Sequence, residues 1–132
     1  MNINQVRILA IIVTLLFYMA VGVCFAKEYN NDEIVDAIFW AEGGYKTNYP
    51  FGIKSVKCEG YNHCRRICVN TVRNNRKRYA DYGHKDFDTY LEFLQSRYCP
   101  TSGKLDWEEQ RLNHYWLKNV KWFLENPKEQ GR

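Results

Sequence analysis

The stretch NDEIVDAIFWAEGG, residues 31–44, begins with cap-type residues and ends in two glycines. Asn31 is a suitable N-cap, and the two acids after it lie in the first turn, where the helix dipole favours negative charge. Apolar side chains then recur three and four residues apart, and the glycine pair is typical of a helix end. The stretch therefore predicts an amphipathic helix that begins at Asn31 and stops at Gly43–Gly44.

Three further segments show the same spacing of apolar residues. They are residues 61–82, the segment from about Asp86 to Pro100, and the segment from Asp106 to Asn126. Asp106 with Glu109 three residues later has the arrangement of a capping box. The loop at 43–57 is expected to be irregular or to form a short hairpin around Gly52 and Ile53. With 132 residues, 45% of them hydrophobic, the chain is predicted to be one mainly α domain of about four helices.

The N-terminus has the three parts of a secretory signal peptide. A basic residue precedes the apolar run Ile8–Val23, and Cys24-Phe25-Ala26 offers small residues at the −3 and −1 positions of a cleavage site. We predict a signal peptide at 1–26 and an exported domain at 27–132, in the periplasm or outside the cell. An uncleaved membrane anchor is the alternative, because the run approaches the roughly 18–20 residues that a span needs.

Four cysteines remain in the predicted domain: Cys58, Cys64, Cys68 and Cys99. An even number of cysteines in a small exported domain predicts two disulfides. Of the three possible pairings we favour Cys58–Cys64 with Cys68–Cys99. Zinc bound by these thiols and histidines is the alternative, but no paired CxxC spacing appears, so no metal and no other cofactor is expected.

Glu42 stands at the end of the first predicted helix, four residues after Ile38 and three after Phe39. This spacing places its carboxyl at the end of an apolar stripe. Burial and the negative end of the helix dipole both favour the protonated form, so we expect a raised pKa and a role as a general acid. The alternative is an exposed glutamate that pairs with Lys46.

Aromatic side chains are the second candidate feature. Five of them could line a sugar-binding groove: Tyr45, Tyr49, Phe51, Tyr98 and Trp116. Apolar faces of pyranose rings pack on aromatic rings, although a place in the core is the alternative for each and is favoured for Trp116. The carboxylates of Asp81, Asp86 and Asp88 are candidates for the second carboxylate of a hydrolase, or else helix-end residues.

Residues 61–80 hold six basic side chains and no acidic one. In a cytosolic protein this pattern would indicate a nucleic-acid partner. The predicted signal peptide instead favours an anionic polymer or membrane surface outside the cell, and we expect no nucleic acid. A solvated helix face is the alternative.

The order Glu42-Gly43-Gly44 and then Phe51-Gly52-Ile53, with Ser55 close behind, resembles the lysozyme-like lytic transglycosylases. In those enzymes a helix ending in Glu-Ser-Gly precedes a loop of Gly-Leu-Met-Gln type. Residues 93–100, followed by Asn113, Trp116, Asn119 and Val120, are similar to the C-terminal part of small exported or phage-encoded lysozyme-like proteins.

The resemblance implies a lysozyme-like domain that cleaves the glycan strand of peptidoglycan or a related amino-sugar polymer. Glu42 would protonate the glycosidic oxygen, and attack by the muramyl 6-hydroxyl would form an anhydro sugar, with hydrolysis as the other outcome. Ser55 and Tyr98 would orient the sugar, and backbone groups of Gly52 and Ile53 would meet its acetamido group. The further substrate-binding residues expected are Tyr45, Tyr49 and Trp116.

A non-catalytic module that binds or inhibits at a cell-wall glycan is the alternative function. It would use the same groove together with the basic helix. In either case we expect a monomer that touches a membrane only through an uncleaved signal segment.

Overall fold

A computed structural model describes residues 2, 3, 5, 7, 11, 27–101, 103 and 106–131. Residues 27–101 and 106–131 contain four α-helices and no strand. They are α1 (Asn31–Ala41), α2 (Gly60–Asp81), α3 (Tyr90–Tyr98) and α4 (Trp107–Glu125). The mainly α prediction is confirmed. Most of the predicted signal segment, including its cleavage site, lies outside the described residues, and no described helix is long and apolar enough to span a membrane.

The N-cap of helix α1 lies one residue earlier than predicted. Asn30, not Asn31, is the N-cap: its side chain accepts from the backbone N–H of Glu33 at 2.9 Å, and Glu33 accepts from the Asn30 N–H at 2.8 Å. Both asparagines could cap a helix, but only Asn30 has a glutamate three residues on, which closes the capping box. The helix stops at Ala41, and Gly43 follows in the left-handed region with φ of 102°.

The buried face of α1 forms the centre of the core and packs against both long helices and the loop at 50–52. The core side chains come from every helix. They are Ile34, Val35, Ala37, Ile38, Phe39, Phe51, Cys64, Cys68, Val72, Leu94, Trp116, Val120 and Leu124. Leu112 on α4 lies outside this core and is 56% exposed. It lies one turn before Trp116, where α4 has passed beyond the core.

The ends of α2 and α4 fall close to the predicted positions, whereas α3 begins later than Asp86. A 3₁₀ turn at Gly83–Lys85 and an irregular stretch precede this helix. Thr89 is its N-cap and forms a capping box with Glu92. Asp106 caps α4 as predicted and accepts from the Glu109 N–H at 2.9 Å. Helix α4 ends at Glu125, directly before the Asn126–Pro127 stop.

The loop after α1 is irregular and forms no hairpin. It holds two 3₁₀ turns, Gly44–Lys46 and Pro50–Gly52. Phe51 and Gly52 both have positive φ, 60° and 67°, so the chain curls and cannot present an extended edge for pairing.

One disulfide is present among the described residues, and it joins Cys58 to Cys64 as favoured. The predicted Cys68–Cys99 bond is wrong, since both thiols are free. The sulfur of Cys68 meets the Tyr98 hydroxyl at 3.6 Å, and the sulfur of Cys99 donates to Asn113 Oδ1 at 2.8 Å. The two side chains thus have different partners, and burial raises the pKa of each thiol to about 12.

Alkylation should separate these two classes of cysteine. We expect iodoacetamide in urea to modify Cys68 and Cys99 but not Cys58 and Cys64, and we expect Cys68 to react slowly in the folded protein because it is a buried thiol. Peptide mapping by mass spectrometry locates the labels. A peptide pair linked through Cys68 and Cys99 would contradict the structure.

Candidate functional site

A cleft of about 300 Å³ lies where the end of α1, the loop after the second 3₁₀ turn, the end of α3 and the first half of α4 meet. Nine residues line it: Glu42, Gly52, Lys54, Ser55, Tyr98, Cys99, Glu109, Leu112 and Asn113. Its wall therefore carries two carboxyl groups and one lysine, together with hydroxyl, amide and apolar surface.

Glu42 is the C-cap of α1, and its carboxyl is half-buried. Trp116 Nε1 donates to its Oε1 at 2.8 Å. Burial raises the pKa of Glu42, and this effect outweighs the hydrogen bond from Trp116 and the charge of Lys54, which both lower the pKa. The raised pKa agrees with the expectation from the apolar stripe, and the described residues include no ion pair between Glu42 and Lys46.

The loop backbone at Gly52 lies directly against the Glu42 carboxyl. A Cβ added to Gly52 would lie 2.5 Å from Glu42 Cδ and 2.7 Å from each carboxyl oxygen. Gly52 also has φ of 67°, which favours glycine. Only glycine therefore satisfies both the backbone conformation and the space at this position.

Tyr98 and Trp116 support the loop and the carboxyl together. Their rings stack with centroids 5.4 Å apart at 26°. The Tyr98 hydroxyl donates to the carbonyl oxygen of Phe51, the buried residue that has positive φ. Burial and the neighbouring Cys68 raise the pKa of Tyr98, so its hydroxyl remains protonated and able to donate. The stacked pair thus fixes both Glu42 and the turn that covers it.

Four of the predicted site residues line this cleft: Glu42, Gly52, Ser55 and Tyr98. Trp116 is only 5% exposed and holds Glu42 from within the core. Ile53 packs against the core cluster. Tyr45 and Tyr49 are not brought to the cleft: Tyr45 packs on the rings of Phe39, Trp40 and Tyr61, and the ring of Tyr49 lies near Lys54.

Five cleft residues have no predicted catalytic or substrate-binding role, although one of them, Cys99, is a predicted disulfide cysteine. They are Lys54, Cys99, Glu109, Leu112 and Asn113. Glu109 was assigned only a capping role. The signal that could have found it is its place seven residues before Trp116, two helical turns along the same face of α4. The predicted alternatives Asp81, Asp86 and Asp88 do not line the cleft.

A larger depression of about 620 Å³ lies along α3 and α4 and includes Lys118, Lys121 and Trp122. Its one carboxyl group belongs to Glu125, an exposed residue at the end of α4. Size alone would favour this depression. The smaller cleft is the better candidate for chemistry because it contains a half-buried acid held by a buried donor.

No family model, curated protein or solved structure matches the chain. The described residues contain no group of three or more His, Cys, Asp or Glu side chains that could hold a metal ion. The arrangement suits proton transfer, with a half-buried carboxyl whose pKa is raised and a second carboxyl on the wall of the cleft.

Gly52→Ala tests the contact between the loop and Glu42, with Gly60→Ala as the matched control. Gly60 also has positive φ, 70°, but nothing lies within 4 Å of an added Cβ there. We expect the control to lose about 1 kcal/mol of unfolding free energy from backbone strain, and Gly52→Ala to lose about 1–3 kcal/mol more from the clash. Urea unfolding measures both values, and equal losses would refute the contact.

Glu42→Gln tests the burial of the carboxyl through its pH dependence. The folded state of the wild type holds the proton more tightly than the unfolded state, so ionisation of Glu42 costs stability as pH rises through the folded pKa. Above about pH 4.5 we expect the unfolding free energy of the variant to rise relative to that of the wild type, by at most about 1.4 kcal/mol per pH unit. Below that pH we expect no such rise.

The measurement for this variant is urea unfolding from about pH 4 to pH 8, within the range where carboxyl groups titrate. The amide introduced by the substitution would still offer an oxygen to Trp116, so packing is preserved. Glu59→Gln is the control, because Glu59 is exposed. A stability difference that is the same at every pH would show that Glu42 is not buried in the folded state.

Proposed function

We propose that the protein cleaves the glycan strand of peptidoglycan, with Glu42 as the general acid. The observation that supports this most directly is a half-buried carboxyl with a raised pKa that faces an open cleft and accepts from Trp116. A general acid must still hold its proton near the working pH, and burial shifts the pKa of Glu42 in that direction.

The proton has a defined place in this arrangement. Because Oε1 accepts from Trp116 Nε1, the proton of neutral Glu42 belongs on Oε2. Gly52 leaves no side chain above either oxygen. Neutral Glu42 would donate this proton to the glycosidic oxygen as the bond to the anomeric carbon breaks. The attacking group is the muramyl 6-hydroxyl, as the resemblance implies, or water.

The wall of the cleft suits an amino-sugar polymer. Leu112 is exposed and offers apolar surface to a ring face, while Ser55 and Lys54 offer polar partners for hydroxyl and carboxylate groups. Asn113 is held in place because it donates to the Pro100 carbonyl at 2.7 Å. The disulfide is compatible with a protein exported to where such a wall is found.

The second candidate function is a module that binds the wall without cleaving it. Three basic residues along one side of α2 favour the binding module. Arg66, Arg73 and Lys77 are exposed and form no ion pair with any described residue. In contrast, Arg65 and Arg76 are paired with carboxylates near the start of the described domain. Free cations in one row would hold the protein on an anionic polymer.

Glu42→Gln should separate the two functions. We expect the wild type to release soluble muropeptides from purified peptidoglycan and the variant to lose about 10²- to 10⁴-fold of that rate, since a positioned general acid contributes about this much. Mass spectrometry of the soluble fraction measures the release.

Glu125→Gln is the control, because Glu125 is exposed and lies outside the cleft. Full activity in Glu42→Gln would exclude the proposed mechanism. Sedimentation of the wild type with the wall, without any soluble product, would favour the binding module.

A further inference from the structure

Glu109 lies on the same face of α4 as Trp116, seven residues earlier. At a rise of about 1.5 Å per residue, two turns separate their Cα atoms by about 10 Å along the helix. Trp116 holds Glu42, whereas Glu109 lines the cleft together with Leu112 and Asn113. The face of α4 that holds the Glu42 carboxyl through Trp116 therefore also brings Glu109 to the same cleft.

The Glu109 side chain is not used for capping. Three helices have a glutamate three residues after their N-cap, and in α1 and α3 that glutamate accepts from the N-cap N–H, at 2.8 Å for Glu33 and 3.0 Å for Glu92. In α4 only half of the box forms: Asp106 accepts from the Glu109 N–H, and the Glu109 carboxylate does not reach back. It forms no ion pair within the described part of the chain either.

The surroundings of the two carboxyl groups differ in a way that suits different roles. Glu42 is half-buried at the C-terminal end of α1, while Glu109 is exposed in the first turn of α4. The partial positive charge of a helix N-terminus is complementary to a carboxylate, and the partial negative charge of a C-terminus is not. One group is thus suited to give a proton and the other to take one.

We infer that Glu109 is the general base that activates water in the Glu42 cleft, so that the reaction is a hydrolysis with inversion at the anomeric carbon. This inference rests on the proposed function. Inverting glycosidases hold their two carboxyl groups about 6.5–9.5 Å apart, which leaves room for one water molecule. Glu109 on α4 and the Glu42 carboxyl, which is bound by Trp116 two turns further along that helix, line one cleft and are compatible with that spacing.

The step balances with water as the only co-reactant. The Glu109 carboxylate takes a proton from water, and the water oxygen bonds to the anomeric carbon. The bond from that carbon to the leaving oxygen breaks, and Glu42 gives its proton to this oxygen. Glu42 ends ionised and Glu109 protonated, and exchange with solvent restores both. The product has a free reducing end and no anhydro ring.

Cleavage of purified peptidoglycan in H₂¹⁸O by the wild type, Glu109→Gln and Glu108→Gln tests this assignment. Glu108 is an exposed neighbour outside the cleft and serves as the control. We expect the wild type to form reducing ends that carry one ¹⁸O and, by NMR, the inverted anomer first. Glu109→Gln should lose about 10²-fold or more in kcat while still sedimenting with the wall, and Glu108→Gln should match the wild type.

Glu109→Ala with sodium azide adds a signature that a structural role would not give. Azide needs no base, so it should restore cleavage and form the glycosyl azide at the anomeric carbon, whereas azide should not rescue Glu42→Gln, which lacks the proton donor. Circular dichroism confirms that each variant is folded.

The outcomes distinguish the inference from the function on which it rests. One outcome would be anhydro products without ¹⁸O, together with equal rates for Glu109→Gln and Glu108→Gln. This outcome would support glycan cleavage but overturn the role of Glu109. Failure of the wild type to release any product would overturn the proposed function, and the role of Glu109 with it.

Discussion

The hydrogen bond from Trp116 Nε1 to the Glu42 carboxyl is the interaction on which the site depends. It joins α4 to the end of α1 across 74 residues of sequence and supplies the partner that a half-buried carboxyl requires. The Trp116 ring also carries the stacked ring of Tyr98, and so positions the end of α3. Three helices therefore meet at one carboxyl, and no described buried side-chain polar atom lacks a partner.

The turn that covers this carboxyl is strained, and the core offsets the strain. Phe51 has φ of 60°, which costs a residue with a side chain about 1–2 kcal/mol. Its ring is fully buried against the rings of Phe39 and Tyr61, and its carbonyl accepts from Tyr98. Burial of a phenylalanine contributes roughly 1.5–3 kcal/mol, enough to hold this conformation. The result is that Gly52 lies against Glu42, where no side chain blocks the cleft.

Local signals in the sequence were enough to predict the helices and the position of Glu42. Cap residues and apolar spacing are contained within a few residues, so Asp106 and the ends of α2 could be predicted from the sequence alone. The left-handed conformation of Phe51 and the partners of Cys68 depend on Tyr98, which lies 47 and 30 residues away. No local pattern carries that information. Glu109 could not be recognised from the sequence as a cleft residue, because its spacing from Asp106 predicts a capping box that α4 does not complete.

The contrast between the two cleft carboxyl groups follows from the direction of the helices that carry them. Helix α1 brings its C-terminal end to the cleft, and α4 brings its N-terminal half, so the two carboxyl groups meet helix ends of opposite partial charge. Burial adds to this contrast, because Glu42 is half-buried and accepts from Trp116, whereas Glu109 is exposed. The direction of each helix thus sets which helix end lies beside each carboxyl group, and reversing either helix would make the surroundings of the two groups more alike.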